Sequence, residues 1–566
     1  MKLDRAALQT NFMDNENLLQ LFQASFRENW DLPALSQYGR GTTMTYADLS
    51  RRIAQAHLLF RLFGVKRGDK IAVMGKNTVS WVVSYMATLT YGAIVVPVLA
   101  EFNPEDAMHI INHSGSVLLF VSGSVWEHMN FDRMPGLKAA LSLDDRSLLG
   151  EHPANRGRAR KAIEALPAAF AKVYPEGFRR ENVKYPLIDP QTVAEINYTS
   201  GTTGFSKGVM LTLDNLAGNT YYGVRSRLHF SGSRCLAFLP LAHAYGAAFD
   251  MLTPLGAGSH VTLLDKMPTP ILLVKAFSEV RPNLILCVPL ILEKIYKKQI
   301  APMLERKSIK RMMAVPLMDR IVYNKIRAKL VKAFGGEFSQ VIVGGAPLNA
   351  EVEQFLHKIN FPFTVGYGMT ECGPLISYTY WREFICGSSG RTLPGIMHSR
   401  IDSSDPVNVP GEICVKGQNV MKGYYKNPEA TQAVLDPDGW LHTGDMGTRT
   451  PDGTLFIKGR YKTMILTATG QNIYPEEIEA KLNNMQYVAE SLVVERERSL
   501  VALVYPDYEV VDRDGITTEQ LPAVMEAIRK ELNKKVAPYE RIDKIQLRPT
   551  EFEKTPKRSI KRFLYN

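Results

Sequence analysis

Between residues 43 and 264 the apolar positions alternate between two spacings. DLSRRIAQAHLLFRLFG, SWVVSYMATLTYG and PEDAMHIINHS carry them at helical spacing, while KIAVMG, AIVVPV and VLLFVSG are short apolar runs of strand length. Such alternation predicts an α/β fold, a mostly parallel sheet with helices on both faces. Ligands of these sheets sit beyond the carboxyl ends of the strands. Residues 77–100 carry no charge and are long enough to cross a membrane. Ser80, Ser84, Thr88, Thr90, Gly92 and Pro97, with the change from helical spacing to a β-branched run, point instead to a buried helix followed by a buried strand. Residues 143–187 are basic, proline-punctuated and weakly patterned, which predicts a surface excursion. Residues 290–334 are helical, basic and rich in Met and Ile; packing helices are the first reading, and a membrane contact or an acyl-channel cover the alternative.

The stretch YTSGTTGFSKGV stands at the end of a predicted strand, residues 193–198. A helix is expected from Leu211 onward, with Thr212 as its N-cap. Gly201, Gly204 and Gly208 let backbone N–H groups approach an anion, and Thr199, Ser200, Thr202, Thr203 and Lys207 add hydroxyls and charge. Phosphate oxygens suit that loop. It is not a Walker A motif, because Lys207 follows Ser206 and precedes Gly208; a plain Gly/Ser/Thr turn is the alternative. Further on, a strand at 340–343 ends in small residues, Gly345, Ala346 and Pro347, before FTVGYGMTECGP. Small residues let a flat base approach the backbone, and Tyr367, followed by Gly368, offers a ring for stacking. Thr370 offers a hydroxyl for phosphate and Glu371 a carboxylate for Mg²⁺; a solvated or paired carboxylate beside a simple Gly-rich loop is the alternative. DGWLHTGD ends in Asp445, a carboxylate able to accept both ribose hydroxyls. PDGT then reads as a hairpin turn and LFIKGRYK as the strand leaving it.

A chain of 566 residues, 45% hydrophobic, divides into two or more domains. Its net charge of +11 favours anionic partners, but the basic clusters lie apart and form no nucleic-acid module. Five cysteines without a CxxC pair indicate neither zinc nor a disulfide framework and fit a reducing cytoplasm. The N-terminus lacks an apolar signal core, so export is not expected.

TSGTTGFSKGVMLT resembles the signature loop of the adenylate-forming (AMP-binding) superfamily, and GYGMTE, HTGD and GRYK follow in that family's order. LPLAHAYG, GGAPLN and the IKRFLY ending are most similar to bacterial long-chain fatty acyl-CoA synthetases. The resemblance implies a large adenylation domain, residues 1–461, and a small mobile α+β domain, residues 462–566, turning about Lys462. Asp445 and Arg460 would hold the ribose, and Thr202 and Glu371 the Mg²⁺. Gly470 would belong to the loop lining the pantetheine tunnel, and His243 would lie near the acyl and ATP sites, unless it is a satisfied buried histidine. The implied reaction joins a fatty acid to CoA through an acyl-adenylate, with ATP, Mg²⁺ and CoA as cofactors and co-substrates. The family's terminal lysine is missing: aligned through Lys554-Thr555-Pro556, its place falls on Ser559, so Lys557 or Lys561 is expected to substitute. Rival readings are an acyl-AMP ligase, another carboxylic acid:CoA ligase, or a nucleotide-binding protein that has lost adenylation. The expected compartment is the cytoplasm, with peripheral contact at the inner face of the membrane and a homodimer left open.

Overall fold

The computed structural model describes residues 17–199, 207–315, 318–466, 472–497, 499–555 and 560–565. An eight-stranded sheet organises it, in the order Gly423–Tyr424, Lys207–Thr212, Val193–Thr199, Ile94–Val98, Lys70–Met74, Ser116–Val121, Ala139–Ser142, Leu148–Glu151. The middle strands run parallel, and the strands at both edges are antiparallel. The fold is α/β as expected.

The uncharged stretch forms the helix Val79–Tyr91 and the strand Ile94–Val98. Thr78 caps the helix by accepting from the Trp81 amide, and Gly92, at φ 85°, ends it. Residues 81–90 and all of the strand are buried, so the missing charges reflect a core covered on every side. Among the described residues no helix is long and apolar enough to cross a membrane. The helix Tyr46–Leu62 begins with a capping box between Thr45 and Asp48 and packs across Val79–Tyr91.

Two expectations change. Residues 207–212, read as the end of a loop followed by a helix from Leu211, are a strand antiparallel to Val193–Thr199, with Thr199 opposite Lys207. Val209 and Leu211 are buried, and Gly208 lies so close to the strand that a Cβ there would meet Ile196 at 2.9 Å. The helix starts at Leu213, capped by Thr212 as predicted. Within 143–187, read as a weakly patterned surface excursion with no element assigned, lie the strand Leu148–Glu151 and the helix Arg158–Val173, which contains Pro167. That helix buries only Ala159 and Ala162, hence its weak pattern.

Two further parallel groups carry motif-bearing loops: Pro33–Gln37 with Arg234–Ala237 and His260–Leu263, and Ile285–Cys287 with Val341–Val343 and Phe363–Val365. An antiparallel sheet, Met397–Asp402, Gly411–Gly417, Leu441–Arg449 and Leu455–Arg460, follows. The largest apolar core runs from Leu18 to Leu455. A separate core begins at Ile473, between the helices Pro475–Leu482 and Leu521–Asn533 and the sheet Val488–Arg496, Ser499–Pro506 and Lys544–Leu547.

Candidate active site

The mouth of the hairpin Val193–Thr199 and Lys207–Thr212 carries the signature loop; Ser200, Gly201, Thr202, Thr203 and Gly204 lie outside the described residues. Lys207 opens the return strand, and its ammonium lies 4.8 Å from the centre of the Tyr424 ring, a cation–π distance. Tyr424 belongs to the two-residue edge strand, opposite Val209. Its hydroxyl donates to Glu371 Oε1 at 2.9 Å. Burial and the neighbouring Glu371 push the Tyr424 pKa up, so the phenol stays protonated and remains a donor.

Glu371 lies in the turn Thr370–Cys372, and Thr370 beside it is buried. The Met421 amide donates to the Glu371 carbonyl at 2.8 Å, tying this turn to the edge strand. Among the described residues the Glu371 carboxylate is bonded through Oε1 to Tyr424, and no bond to Oε2 is seen there. An oxygen ligand beside a lysine and a hydroxyl fits a divalent cation accompanied by phosphates.

A second group stands next to it. Tyr367 is buried, and its hydroxyl donates to Asp445 Oδ2 at 2.6 Å. Arg460 Nε pairs with Asp445 Oδ1 at 2.8 Å across adjacent strands. Burial raises the Asp445 pKa, while the Arg460 charge and the Tyr367 hydrogen bond act against the rise. The charge of Glu371 reaches Asp445 and that of Arg460 reaches Tyr424, so both groups share one site.

Gly345, Ala346 and Pro347 are exposed beyond the strand Val341–Val343, as a surface open to a flat ligand requires. Gly368 has a different local cause. A Cβ there would lie 2.2 Å from the Pro374 carbonyl oxygen, because the strand Tyr367–Gly368 runs hard against Leu375–Tyr378. His243 is half-buried, and its Nδ1 accepts from the Tyr245 amide at 3.2 Å, capping a short helix. That contact is compatible with both readings of this residue.

Lys462 is exposed in the turn Tyr461–Thr463, just after Arg460. The adjoining Thr463 hydroxyl donates to Glu476 at 2.7 Å at the start of the C-terminal unit. Gly470, Lys557 and Ser559 lie outside the described residues. Lys561 faces Glu553 at 3.6 Å, and its neighbour Arg562 pairs with Glu479. In this conformation the Lys561 ammonium is therefore engaged within the C-terminal unit.

Sequence spacing did not reveal a cluster on neighbouring strands, Glu412, Cys414 and His442, whose potential ligand atoms lie within 4.8 Å of one another. His442 Nδ1 already pairs with Glu412 Oε2 at 2.9 Å, and Arg400 beside the thiol opposes a cation. Glu412 Oε1 also accepts from the Gly444 amide at 2.9 Å. This cluster braces the turn that delivers Asp445.

Comparison with known proteins follows the same lines. A family model described as AMP-binding enzyme matches residues 22–425. The chain is 28% identical over 575 residues to the long-chain-fatty-acid–CoA ligase FadD15 of Mycobacterium tuberculosis, covering 93% of this chain and 90% of that protein. It is 30% identical over 529 residues to the peroxisomal long chain acyl-CoA synthetase 7 of Arabidopsis thaliana, covering 85% and 72%. Among solved structures, the anthranilate CoA ligase AuaEII in complex with anthranoyl-AMP matches with a TM-score of 0.76 at 18% identity, over 97% of this chain and 96% of that one. ATP-bound MatB from Rhodopseudomonas palustris matches with 0.73 at 23%, over 97% and 98%. At those identities the likeness is one of fold.

Proposed function

Because the chain belongs to the AMP-binding enzyme family, we propose that it is an ATP-dependent fatty acid:CoA ligase acting through an acyl-adenylate. The observation that carries this reading is the pairing of a cation-and-carboxylate group, Lys207 with Glu371, and a ribose-type carboxylate, Asp445 with Arg460, in one site. Its relatives' names supply the long-chain acid.

In the first half-reaction the substrate carboxylate attacks the α-phosphorus of ATP, and pyrophosphate leaves. Lys207 and the signature-loop hydroxyls neutralise and orient the phosphates, while Asp445 accepts the ribose hydroxyls on the lone pairs that Tyr367 and Arg460 leave over. Glu371, with Thr202, would hold Mg²⁺, which supplies charge neutralisation at the phosphates when bound. In the second half-reaction the CoA thiolate attacks the acyl carbon of the mixed anhydride, and AMP leaves. Residues 1–461 form the adenylation domain and 462–566 the mobile one; the separate apolar cores support that division. Rotation about Lys462 brings Gly470 towards the acyl group and, in the opposite sense, brings Lys557 or Lys561 to replace the cation missing at Ser559. The protein works in the cytoplasm, with fatty acid, ATP and CoA as partners and peripheral membrane contact where its acids reside.

Pyrophosphate release from Mg-ATP across saturated acids from acetate to stearate, with and without CoA, tests the assignment. Release that requires a long-chain acid and rises with CoA is the expected result. Turnover indifferent to CoA would replace it with an acyl-AMP ligase. Nucleotide binding without release for any acid would favour the reading that Ser559 supports, a nucleotide-binding protein that has lost adenylation.

A further inference from the structure

We propose that Tyr424 is a positioning residue for the adenylation step: its hydroxyl fixes the Glu371 carboxylate while its ring holds the Lys207 ammonium. This rests on the ligase reading of the same site. Tyr424 is itself fixed from several directions. Its amide donates to Thr431 Oγ1 at 2.9 Å, and its strand pairs with the signature hairpin at Val209. The flanking amides of Lys422 and Tyr425 donate to the carbonyls of Met210 and Gly208 at 3.0 and 2.7 Å. Met421, in the same segment, holds the Glu371 backbone. A short edge strand thus stitches the strand Lys207–Thr212 to the Glu371 turn.

The consequence for Glu371 is geometric. A half-buried carboxylate with one oxygen bonded to a rigid phenol cannot spin freely, so Oε2 points in one direction. Fixing a ligand's orientation through such a partner raises metal affinity and precision together. Lys207 is placed by the ring of the same phenol, which attracts the ammonium and leaves its charge available to phosphate.

Tyr424→Phe isolates the hydroxyl, because the ring that holds Lys207 is retained. Two measurements test the proposal: free Mg²⁺ at half-maximal pyrophosphate release, and Mn²⁺ binding by electron paramagnetic resonance in the complex with α,β-methylene-ATP. Expected is a shift of about tenfold to weaker metal binding in both, the size of one lost hydrogen bond to a charged group, with the KM for the acid unchanged. A double-mutant cycle separates positioning from a merely structural role. If Tyr424 acts through Glu371, Tyr424→Phe adds nothing to the metal-binding loss of Glu371→Ala. Wild-type metal binding in Tyr424→Phe, or an equal penalty in both backgrounds, would overturn it. Should Tyr424→Phe be too unstable to assay, Tyr424→Trp, which keeps an aromatic face but moves its donor, is expected to show the same metal defect. If the wild-type chain binds the nucleotide and Mn²⁺ but releases no pyrophosphate with any acid, the ligase reading fails while the positioning role is still scored by resonance. A chain that binds neither overturns both.

Discussion

His229 is 2% exposed, donates its Nε2–H to the Phe249 carbonyl at 3.1 Å, and among the described residues has no hydrogen-bond partner for Nδ1. Burial lowers its pKa from 6.5 to about 4. The unfolded chain therefore binds a proton that the folded one refuses, and stability present above pH 6.5 is lost as the pH falls towards 4. A depression of that size corresponds to roughly 3 kcal/mol at the acid end. Urea unfolding of His229→Met should be weaker than wild type by about 1–2 kcal/mol at pH 7, from the stranded carbonyl, yet flatter between pH 7 and pH 4. An unchanged slope would assign the acid sensitivity elsewhere. At this scale Lys207, Glu371 and Asp445 were singled out from motifs whose chemistry is local, and Arg460 through the family resemblance; the structure brings the four together in one candidate site. Tyr424 was not singled out, because its role comes from a register with Val209, more than two hundred residues away. Tyr367 was assigned a stacking face; its hydroxyl has a further use, which depends on Asp445 arriving from another sheet.

Strands and helices were legible where burial left a clean period. The helix Val79–Tyr91 and the strand Ile94–Val98 follow from an apolar run that changes spacing once. Arg158–Val173 was missed because it buries two alanines and carries Pro167, so neither period nor composition marked it. The strand Lys207–Thr212 was hidden by Gly208, read as part of a loop, which serves close packing against Ile196. Gly368 shows the same duality. Gly368→Ala places a methyl against fixed backbone at Pro374, and differential scanning calorimetry should register a loss of about 1–3 kcal/mol. Displacement of the Glu371 turn, which lies between the two paired strands, should lower pyrophosphate release as well. Full stability would show that the strand pair can open at little cost.

Over the whole molecule, the large apolar core and the smaller one that begins at Ile473 are joined through the segment that follows Leu455, where Lys462 is exposed and Thr463 holds Glu476. Lys462→Pro fixes a backbone angle at that junction. Acyl-adenylate formation measured without CoA should fall less than thioester formation measured from preformed adenylate, by about tenfold or more if rotation is required only between the steps. Equal losses would remove the rotation model. Length alone called for two or more domains, but the proposed boundary near residue 461 came only through family resemblance, since no linker composition marks residues 455–472.

The uncharged stretch has one more consequence, for the chain as it is made. Ile94–Val98 pairs on one side with Lys70–Met74, already synthesised, but on the other with Val193–Thr199, where Val95 meets Glu195. At roughly 5–20 residues per second, the ribosome needs on the order of 5–20 seconds to supply that neighbour. Throughout that interval the strand Ile94–Val98 has one edge without its final neighbour.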